Sequence, residues 1–406
     1  MRNWYQARQR SKRWCLCRSY NAIKTKGIAM ASLRLILTFL NRLLPKYRKL
    51  VVYGIPNVES SAVELANFVV DKYDLPVYFV ISNKFIDHPA LVLNKKINLL
   101  KRGSLSYFYH YLTCKFLIFT HGTILNTFSK RQVVVNVWHG VFYKKIGKLN
   151  GEVEIPASIT VGTSLLTQDM FSKAFGVAPA DVLICGYPRN DAMLKAAARK
   201  AKLRTNLGVN ISACDKLVIW LPTYRTSTIG ITDGKEVGNP FYIEEFDVAR
   251  FNAILRRYNA VCMVKPHPMA PVYDHAADLD HLIFIDDKWI SDHSMTTYQL
   301  IGCTDILVSD VSSVMVDYML LDQPIVCVST DFDEYRASRG FYFEDIEDWI
   351  PAPILKTESE FMNAFELLLS QDIDPSERRR NRLKTEFFRY PDDQSTERLI
   401  THIFGI

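Results

Sequence analysis

The sequence predicts an α/β protein made of two facing, doubly wound domains that follow a basic amphipathic segment. From residue 50 onward, short continuous apolar runs alternate with amphipathic stretches, which is typical of parallel strands covered by helices on both faces. The alternation restarts after a polar connection near residue 200. A length of 406 residues, with 48% apolar and 23% charged residues, suits two or three domains with full cores.

The first domain is predicted over residues 50–200. Apolar runs predict strands at 50–53, 76–81, 116–120, 133–138, 158–162 and 182–185, and amphipathic stretches predict helices at 60–73 and 164–175. A further helix over 190–203 leads into the second domain.

The second domain is predicted over residues 201–390. Strands are expected at 216–221, 261–265, 282–285, 305–308 and 325–328, and helices at 243–258, 312–320 and 359–369. Residues 208–215 and 226–239 are predicted to be polar connections. The last helices are expected at 375–388 and 395–404, and residues 391–406 are expected to cross back to the first domain.

Residues 1–49 are expected to be a basic leader and a membrane-associating segment. The first fifty residues contain 13 Lys and Arg and no acid, so the rest of the chain, which holds all 43 acids, is net negative. If residues 28–44 are helical, their spacing puts six apolar side chains on one face, namely Leu33, Ile36, Leu37, Leu40, Leu43 and Leu44. Four other side chains lie on the opposite face, namely Arg34, Thr38, Asn41 and Arg42.

This amphipathic segment is too short and too charged to span a bilayer. Residues 28–49 are therefore expected to lie on an anionic membrane surface, with a helix packed on the protein body as the alternative. Residues 1–29 are either a basic leader or a stretch upstream of a true start at Met30. No secretory signal peptide is recognisable. A nucleic-acid partner is not expected, because the positive charge is confined to the N-terminus without an aromatic-rich RNA motif.

The cysteine pattern favours a reducing, cytosolic compartment. The eight cysteines are scattered singly apart from Cys15 and Cys17, with no zinc-site spacing. No metal or cofactor is expected. Asp331-Phe332-Asp333 matches an acidic pattern that arises easily by chance, and there is neither a dinucleotide-binding nor a P-loop glycine motif.

Two histidines follow predicted strands. His139 lies in Trp138-His139-Gly140, where it can accept a proton from an attacking hydroxyl, and Lys144 and Lys145 add positive charge where a phosphate would sit. His267 lies in Lys265-Pro266-His267-Pro268, where two prolines stiffen a cationic strand end suited to a diphosphate. Either histidine could instead belong to an ordinary turn.

A third strand end carries the segment Ser309-Asp310-Val311-Ser312-Ser313. Ser312 is predicted to cap the following helix, whose free N–H groups, with the two serine hydroxyls, could bind an anion. Asp317, one turn later, could bind a ligand hydroxyl or be a structural acid. Capping without a ligand is the alternative for the serines.

Two shorter segments complete the set. Arg225, in Pro222-Thr223-Tyr224-Arg225, could clamp a phosphate. Arg189 and Asp191, in Gly186-Tyr187-Pro188-Arg189-Asn190-Asp191, are expected to pair and fix the interdomain turn.

In this order, the segments resemble the CDP-glycerol glycerophosphotransferase family of teichoic-acid primases and polymerases. The likeness covers roughly residues 50–400 and includes Lys144-Lys145-Ile146-Gly147 and the tail Ser395-Thr396-Glu397-Arg398. It implies a GT-B-type fold of two Rossmann-like domains. It also implies transfer of glycerol phosphate from CDP-glycerol to a lipid-linked acceptor, a polyprenyl-diphosphate saccharide or a polyol phosphate, with release of CMP. The resemblance places such an enzyme peripherally on the cytoplasmic face of the cell membrane.

The resemblance assigns roles to the motif residues. His139 is expected to be the base and His267 to act on the leaving group. The remaining motif residues are expected to bind the substrate: Lys144, Lys145, Arg225, Lys265, Ser309, Asp310, Ser312, Ser313 and Asp317.

Two departures keep other donors open. Val141-Phe142 stands where the family often has Thr-Pro, and Thr226 stands where an acid often follows. The alternatives are a CDP-ribitol donor, a capsule polymer as product, a nucleotide-sugar glycosyltransferase of the same fold, or a membrane-binding protein without catalysis.

Overall fold

The computed structural model describes residues 32–55, 57–82, 92–125, 127–151, 155–223, 239–267, 279–371 and 373–405. These residues form two parallel-sheet α/β domains, as the sequence predicts. The first contains strands β1 (Tyr47–Tyr53), β2 (Val77–Ile81), β3 (Asn98–Lys101), β4 (Cys114–Phe119), β5 (Val133–Asn136), β6 (Ile159–Gly162) and β7 (Val182–Ile184). Its helices are α1 (residues 32–43), α2 (Ser60–Lys72), α3 (Leu105–Thr113) and α4 (Leu165–Phe175).

Three helices connect the domains: α5 (Pro188–Ala197), α6 (Lys200–Arg204) and α7 (Val209–Ala213). The second domain contains β8 (Lys216–Leu221), β9 (Ala260–Val264), β10 (Leu282–Phe284), β11 (Ile306–Ser309), β12 (Ile325–Val328) and β13 (Ile354–Leu355). Its helices are α8 (Val248–Arg257), α9 (Asp287–Asp292), α10 (Thr297–Gly302), α11 (Val314–Tyr318), α12 (Phe332–Arg339) and α13 (Glu358–Gln371). The described chain ends with α14 (Glu377–Phe387) and α15 (Ser395–Phe404).

Both sheets have the same winding. The first runs in the order β3-β2-β1-β4-β5-β6-β7 and the second in the order β10-β9-β8-β11-β12-β13. Strand order therefore reverses between β1 and β4 in one sheet and between β8 and β11 in the other. Ligands of such sheets bind at the carboxyl ends of the strands beside this reversal. The loops after β1 and β4, and those after β8 and β11, are therefore expected to contribute to a site.

The last two helices pack on the first domain. The hydroxyl of Thr163 donates to the carbonyl of Phe387 over 2.6 Å, and the Phe404 ring lies 4.6 Å from that of Phe116. Asp191, at the start of α5, accepts the backbone N–H groups of Ser395 and Thr396 at 2.9 and 2.7 Å, and the Thr396 hydroxyl at 2.6 Å. The predicted Arg189–Asp191 pair is thus wrong, because Asp191 instead caps α15.

Helix α1 packs on the rest of the first domain through a narrow strip of its surface. Leu37 and Asn41 are buried, and the Asn41 side chain donates to Gln132 at 2.9 Å and accepts the Ser129 N–H at 2.7 Å. The sequence predicted Asn41 on the polar face of the helix, and this prediction is wrong. Helical periodicity cannot distinguish a buried amide whose hydrogen bonds are made from an exposed one. No described helix is long and apolar enough to cross a membrane.

Several element boundaries differ from the prediction for local reasons. The helix expected at 243–258 begins only at Val248, because Tyr242 and Glu245 have φ values of 55° and 50°. The helix expected at 312–320 shortens to α11, followed by a 3₁₀ turn at Met319–Leu321. The supposed connection 208–215 contains α7, and β3, α3, α9, α10, α12 and β13 were not predicted. Of the predicted loop 226–239, residues 226–238 lie outside the described residues.

Removing the carboxylate that caps α15 should loosen the C-terminal brace. Asp191→Ala leaves three donors without their acceptor, and each buried unmet group costs about 1–3 kcal/mol. We expect a fall of several kcal/mol in the free energy of unfolding, measured by urea denaturation. Asp392→Ala is the matched control, because its partner Arg398 lies on the same helix but the pair is partly exposed. Equal losses in the two variants would contradict this role of Asp191.

Candidate active site

A cleft of about 430 Å³ lies between the carboxyl ends of the two sheets. The first domain lines it with the loops after β1, β4 and β5, and the second with the loops after β8, β9 and β11. Of the residues that the sequence analysis assigned to catalysis or substrate binding, those that line it are His139, Lys144, Lys265, His267, Ser312 and Ser313, and Arg189 lines it too. The separate strand-end motifs therefore meet in one cavity.

The backbone before His139 is held in an unusual conformation. Trp138 has φ 55°, a left-handed value that is uncommon for a bulky residue and is found preferentially at functional sites. Its N–H donates to the Asn136 side chain over 3.0 Å, and its ring packs edge-on against Phe175 at 4.8 Å. These contacts turn the chain so that the next side chain, His139, faces the cleft.

The hydrogen bond of His139 defines its tautomer. Nδ1 lies 3.3 Å from the carbonyl oxygen of Thr120, and a carbonyl can only accept. Nδ1 therefore carries the proton, and Nε2 keeps its lone pair. Burial lowers the pKa of His139 well below its ordinary value, and the neighbouring His121, Arg189 and His267 lower it further. A neutral imidazole with a free Nε2 is the form that a general base needs.

Arg189, in the first turn of α5, contacts the backbone of the His139 loop. Its guanidinium donates to the carbonyl of His139. Gly140 has φ 128°, and a Cβ at that position would lie 2.2 Å from Nη2 of Arg189. Only glycine accommodates both the backbone angle and the close guanidinium.

Arg189 also joins the two domains. Its Nη2 pairs with Oδ2 of Asp317, in α11, at 2.5 Å, and the two side chains are 3% and 0% exposed. The Tyr298 hydroxyl, in α10, donates to the same oxygen over 2.6 Å, and the guanidinium lies 4.6 Å from the Tyr298 ring centroid. Asp317 does not line the cleft. Its pair with Arg189 instead joins the two domains beside the cleft.

The β9 loop supplies Lys265 and His267. Lys265 is nearly buried and pairs with Asp287 at 2.9 Å. Burial, followed by the charges of Lys265 and Lys144, lowers the pKa of His267 to about 4. At neutral pH His267 is thus an uncharged hydrogen-bonding group in the free protein, and the lysines supply the positive charge. Lys144 lies with its ammonium 4.6 Å from the Tyr335 ring centroid, whereas Lys145 is exposed and outside the lining.

The serine-rich turn divides into two parts. The Ser309 hydroxyl donates to the carbonyl of Leu221 over 2.6 Å, and Asp310 accepts the N–H and hydroxyl of Thr223. These two residues join the ends of β8 and β11 and do not line the cleft. Ser312 and Ser313 do line it. The helix cap is Ser313, not the predicted Ser312, and its side chain makes no capping bond.

Among the lining residues that the sequence analysis did not select are His121 and Glu59. His121 follows β4 after Thr120, so the strand-end rule applied to His139 would have found it. Glu59 accepts the Ala62 N–H at 2.8 Å at the start of α2, and burial raises its pKa. Arg225 lies outside the described residues. Within the described ranges, no group of three or more potential ligands is placed to hold a metal ion.

Comparisons with known proteins give a consistent picture. A family model described as CDP-Glycerol:Poly(glycerophosphate) glycerophosphotransferase matches residues 36–405. The teichoic acid ribitol-phosphate polymerase TarL of Staphylococcus aureus is 26% identical over 295 residues, which are 68% of this chain and 49% of TarL. A teichoic acid poly(glycerol phosphate) polymerase of Bacillus spizizenii is 26% identical over 313 residues, which are 72% of this chain and 75% of that protein.

The chain spans about half the length of TarL and of the related S. aureus polymerase TarK. A structure of the wall teichoic acid polymerase TagF superposes with a TM-score of 0.75 at 19% identity, covering 95% of this chain and 94% of the TagF chain. The GT-B-like fold expected from the sequence is confirmed by this likeness.

Breaking the interdomain pair should destabilise the protein strongly. Asp317→Ala leaves the Arg189 guanidinium buried and unpaired, which typically costs about 3–5 kcal/mol. Replacing both partners, as in Arg189→Met with Asp317→Leu, should cost less, because no charge is then left alone. Urea denaturation of the single and double variants measures the difference. A double variant less stable than Asp317→Ala would contradict this account.

Proposed function

This chain belongs to the CDP-glycerol:poly(glycerophosphate) glycerophosphotransferase family, and from that premise we propose that it transfers a polyol phosphate from a CDP-linked donor to a hydroxyl of a teichoic-acid-type acceptor. CMP is the second product. The observation that carries the proposal is the neutral His139, whose free Nε2 faces a cleft lined by Lys144 and Lys265. A base beside a cluster of cations suits attack of a hydroxyl on a phosphate.

CDP-glycerol is the proposed donor. The family description names this chemistry, and one TagF structure was obtained after a soak with CDPG. CDP-ribitol is the second candidate, because TarL and TarK are ribitol-phosphate polymerases. Of the departures from the family pattern, Val141 and Phe142 line the cleft, and Thr226 lies outside the described residues.

In the proposed reaction each bond that forms is matched by a bond that breaks. The acceptor O–H bond breaks and its proton passes to Nε2 of His139. The oxygen forms a bond to the β-phosphorus, and the bond from that phosphorus to the bridging oxygen breaks. The electron pair leaves on CMP. In our proposal the diphosphate is held by Lys144, Lys265, His267, Ser312 and Ser313, together with Arg225, and these donors stabilise the charge that develops on CMP.

A lipid-linked acceptor fits the surface of α1. Leu35, Ile36, Phe39 and Leu43 are 73%, 58%, 62% and 61% exposed, and Arg34 and Arg42 are exposed on the same helix. An apolar strip flanked by cations suits burial in the headgroup layer of an anionic bilayer. We therefore propose that the protein acts peripherally at the cytoplasmic face of the membrane on a polyprenyl-diphosphate saccharide or a polyol-phosphate chain.

Loss of the base should reduce turnover. We expect His139→Ala to slow CMP release by about 10²–10⁴-fold, the usual contribution of a general base. The assay offers CDP-glycerol, CDP-ribitol or a nucleotide sugar with a lipid-linked acceptor, and CMP is quantified by chromatography. His402→Ala, an exposed histidine on α15, is the control and should retain wild-type turnover. Sugar transfer by the wild type without CMP release would overturn the proposal.

The exposed face of α1 should be required for vesicle binding. Ile36→Glu with Phe39→Glu removes two apolar anchors, each worth about 1.5–3 kcal/mol when buried, so binding should fall by more than about tenfold. Cosedimentation with phosphatidylglycerol-containing vesicles measures this. Val209→Glu, which changes a residue 81% exposed in α7, should bind as the wild type does. Unchanged binding by the double variant would count against this surface.

A further inference from the structure

His121 has no role in the reaction described so far, although it lines the same cleft. It follows β4 after a single residue, Thr120. Its ring lies parallel to that of His139, with centroids 4.0 Å apart and an angle of 12° between the planes. Neither the family likeness nor the sequence motifs give a role to this second imidazole, which stacks on the proposed base.

The hydrogen bonds of Thr120 orient both rings. Nδ1 of His139 faces the Thr120 carbonyl oxygen at 3.3 Å, and Nδ1 of His121 faces the Thr120 hydroxyl at 2.9 Å. Both Nδ1 atoms therefore point toward Thr120. Both Nε2 atoms must point away from it, on the same side of the stacked pair.

The same bonds give the two rings opposite tautomers. Thr120 is buried, and of the two described partners of its hydroxyl the Ile55 N–H can only donate to it, at 3.2 Å, so the hydroxyl proton has Nδ1 of His121 as its acceptor. That nitrogen then accepts, and the proton of neutral His121 resides on Nε2. His139 has the reverse arrangement, with its proton on Nδ1. The pair thus presents one N–H donor and one lone pair side by side.

We propose that His121 is a catalytic residue that donates a hydrogen bond from Nε2 to a non-bridging oxygen of the phosphate being transferred, while His139 accepts the proton of the attacking hydroxyl. This inference rests on the proposed function and adds a residue to it. A fixed donor beside the base stabilises the phosphate oxygens as the new bond forms. It also orients that phosphate toward the hydroxyl that His139 activates.

The surroundings keep the pair uncharged in the free protein. Burial, followed by the charge of the nearby Arg189, lowers the pKa of His121 to about 4. The charged and titratable groups that act on His139 are His121, Arg189 and His267, and Glu59 lines the same cleft. Loss of His121 removes one group that lowers the pKa of His139. The acid limb of the pH dependence of kcat/KM should then move to higher pH.

The tautomers can be measured without any substrate. Long-range ¹H–¹⁵N correlation spectra of the full-length protein, labelled at histidine nitrogens, distinguish Nδ1–H from Nε2–H. His121→Phe and His139→Ala assign the two signals. We expect Nε2–H for His121 and Nδ1–H for His139 at pH 7. A proton on Nδ1 of neutral His121 would overturn the proposal, whatever the protein catalyses.

Kinetics test the role itself. His121→Phe keeps a stacked ring and loses the donor, and kcat for CMP release from CDP-glycerol should fall by about 10²-fold, as for loss of one fixed donor to a developing anion. His121→Gln keeps a side-chain N–H and should recover part of this loss. Thermal unfolding confirms that both variants fold. His121→Phe turnover within twofold of the wild type, with an unmoved acid limb, would refute the role, whereas a wild type inactive on every CDP-linked donor would refute the proposed function instead.

Discussion

The buried ion pair between Arg189 and Asp317 is the interaction on which the rest of the site depends. It crosses from a helix of the first domain to one of the second, and both side chains are almost fully shielded from water. A charge left alone there would cost several kcal/mol, so any arrangement that separates the partners is strongly disfavoured. Because the same guanidinium donates to the His139 carbonyl, the contact that joins the domains also positions the His139 loop.

Sheet topology explains why the reactive groups meet. Parallel strands place all their carboxyl ends at one edge, and each sheet reverses its winding where a crevice opens. Two such edges facing each other bring together groups from the loops after β1, β4, β5, β8, β9 and β11. The first domain contributes the histidine pair, which is kept neutral by burial. The first domain also contributes Lys144, and the second contributes Lys265, His267, Ser312 and Ser313.

Much of the fold follows from local sequence. Continuous apolar runs predicted the buried central strands, and Lys216–Leu221, Ile325–Val328 and Ser395–Phe404 have the expected bounds. Elements outside this pattern escaped detection. β3 is an edge strand in which only Leu100 is buried, so its burial does not alternate. α10 has only six residues, too few for a helical period to be recognised.

The site was predictable where a residue follows its strand directly and unpredictable where a distant partner determines its role. His139 and His267 occupy strand ends, and His121 obeys the same rule. Asp317, by contrast, looked available to a ligand because its partner Arg189 lies 128 residues away in sequence. Ser309 and Asp310 belong to a matching motif, but their hydrogen bonds hold β8 against β11. A motif specifies which residues gather at the cleft, and the packing decides which of them face it.

The central claim is that an acceptor hydroxyl attacks the β-phosphorus of a CDP-linked polyol and that CMP leaves. Its most direct test is the position of an ¹⁸O label placed in the oxygen that bridges the two phosphorus atoms of CDP-glycerol. Mass spectrometry of the products should find the label entirely in CMP, with the unlabelled glycerol phosphate joined to the acceptor. Label in released glycerol phosphate, with the cytidylyl group on the acceptor, or release of intact CDP, would contradict the account.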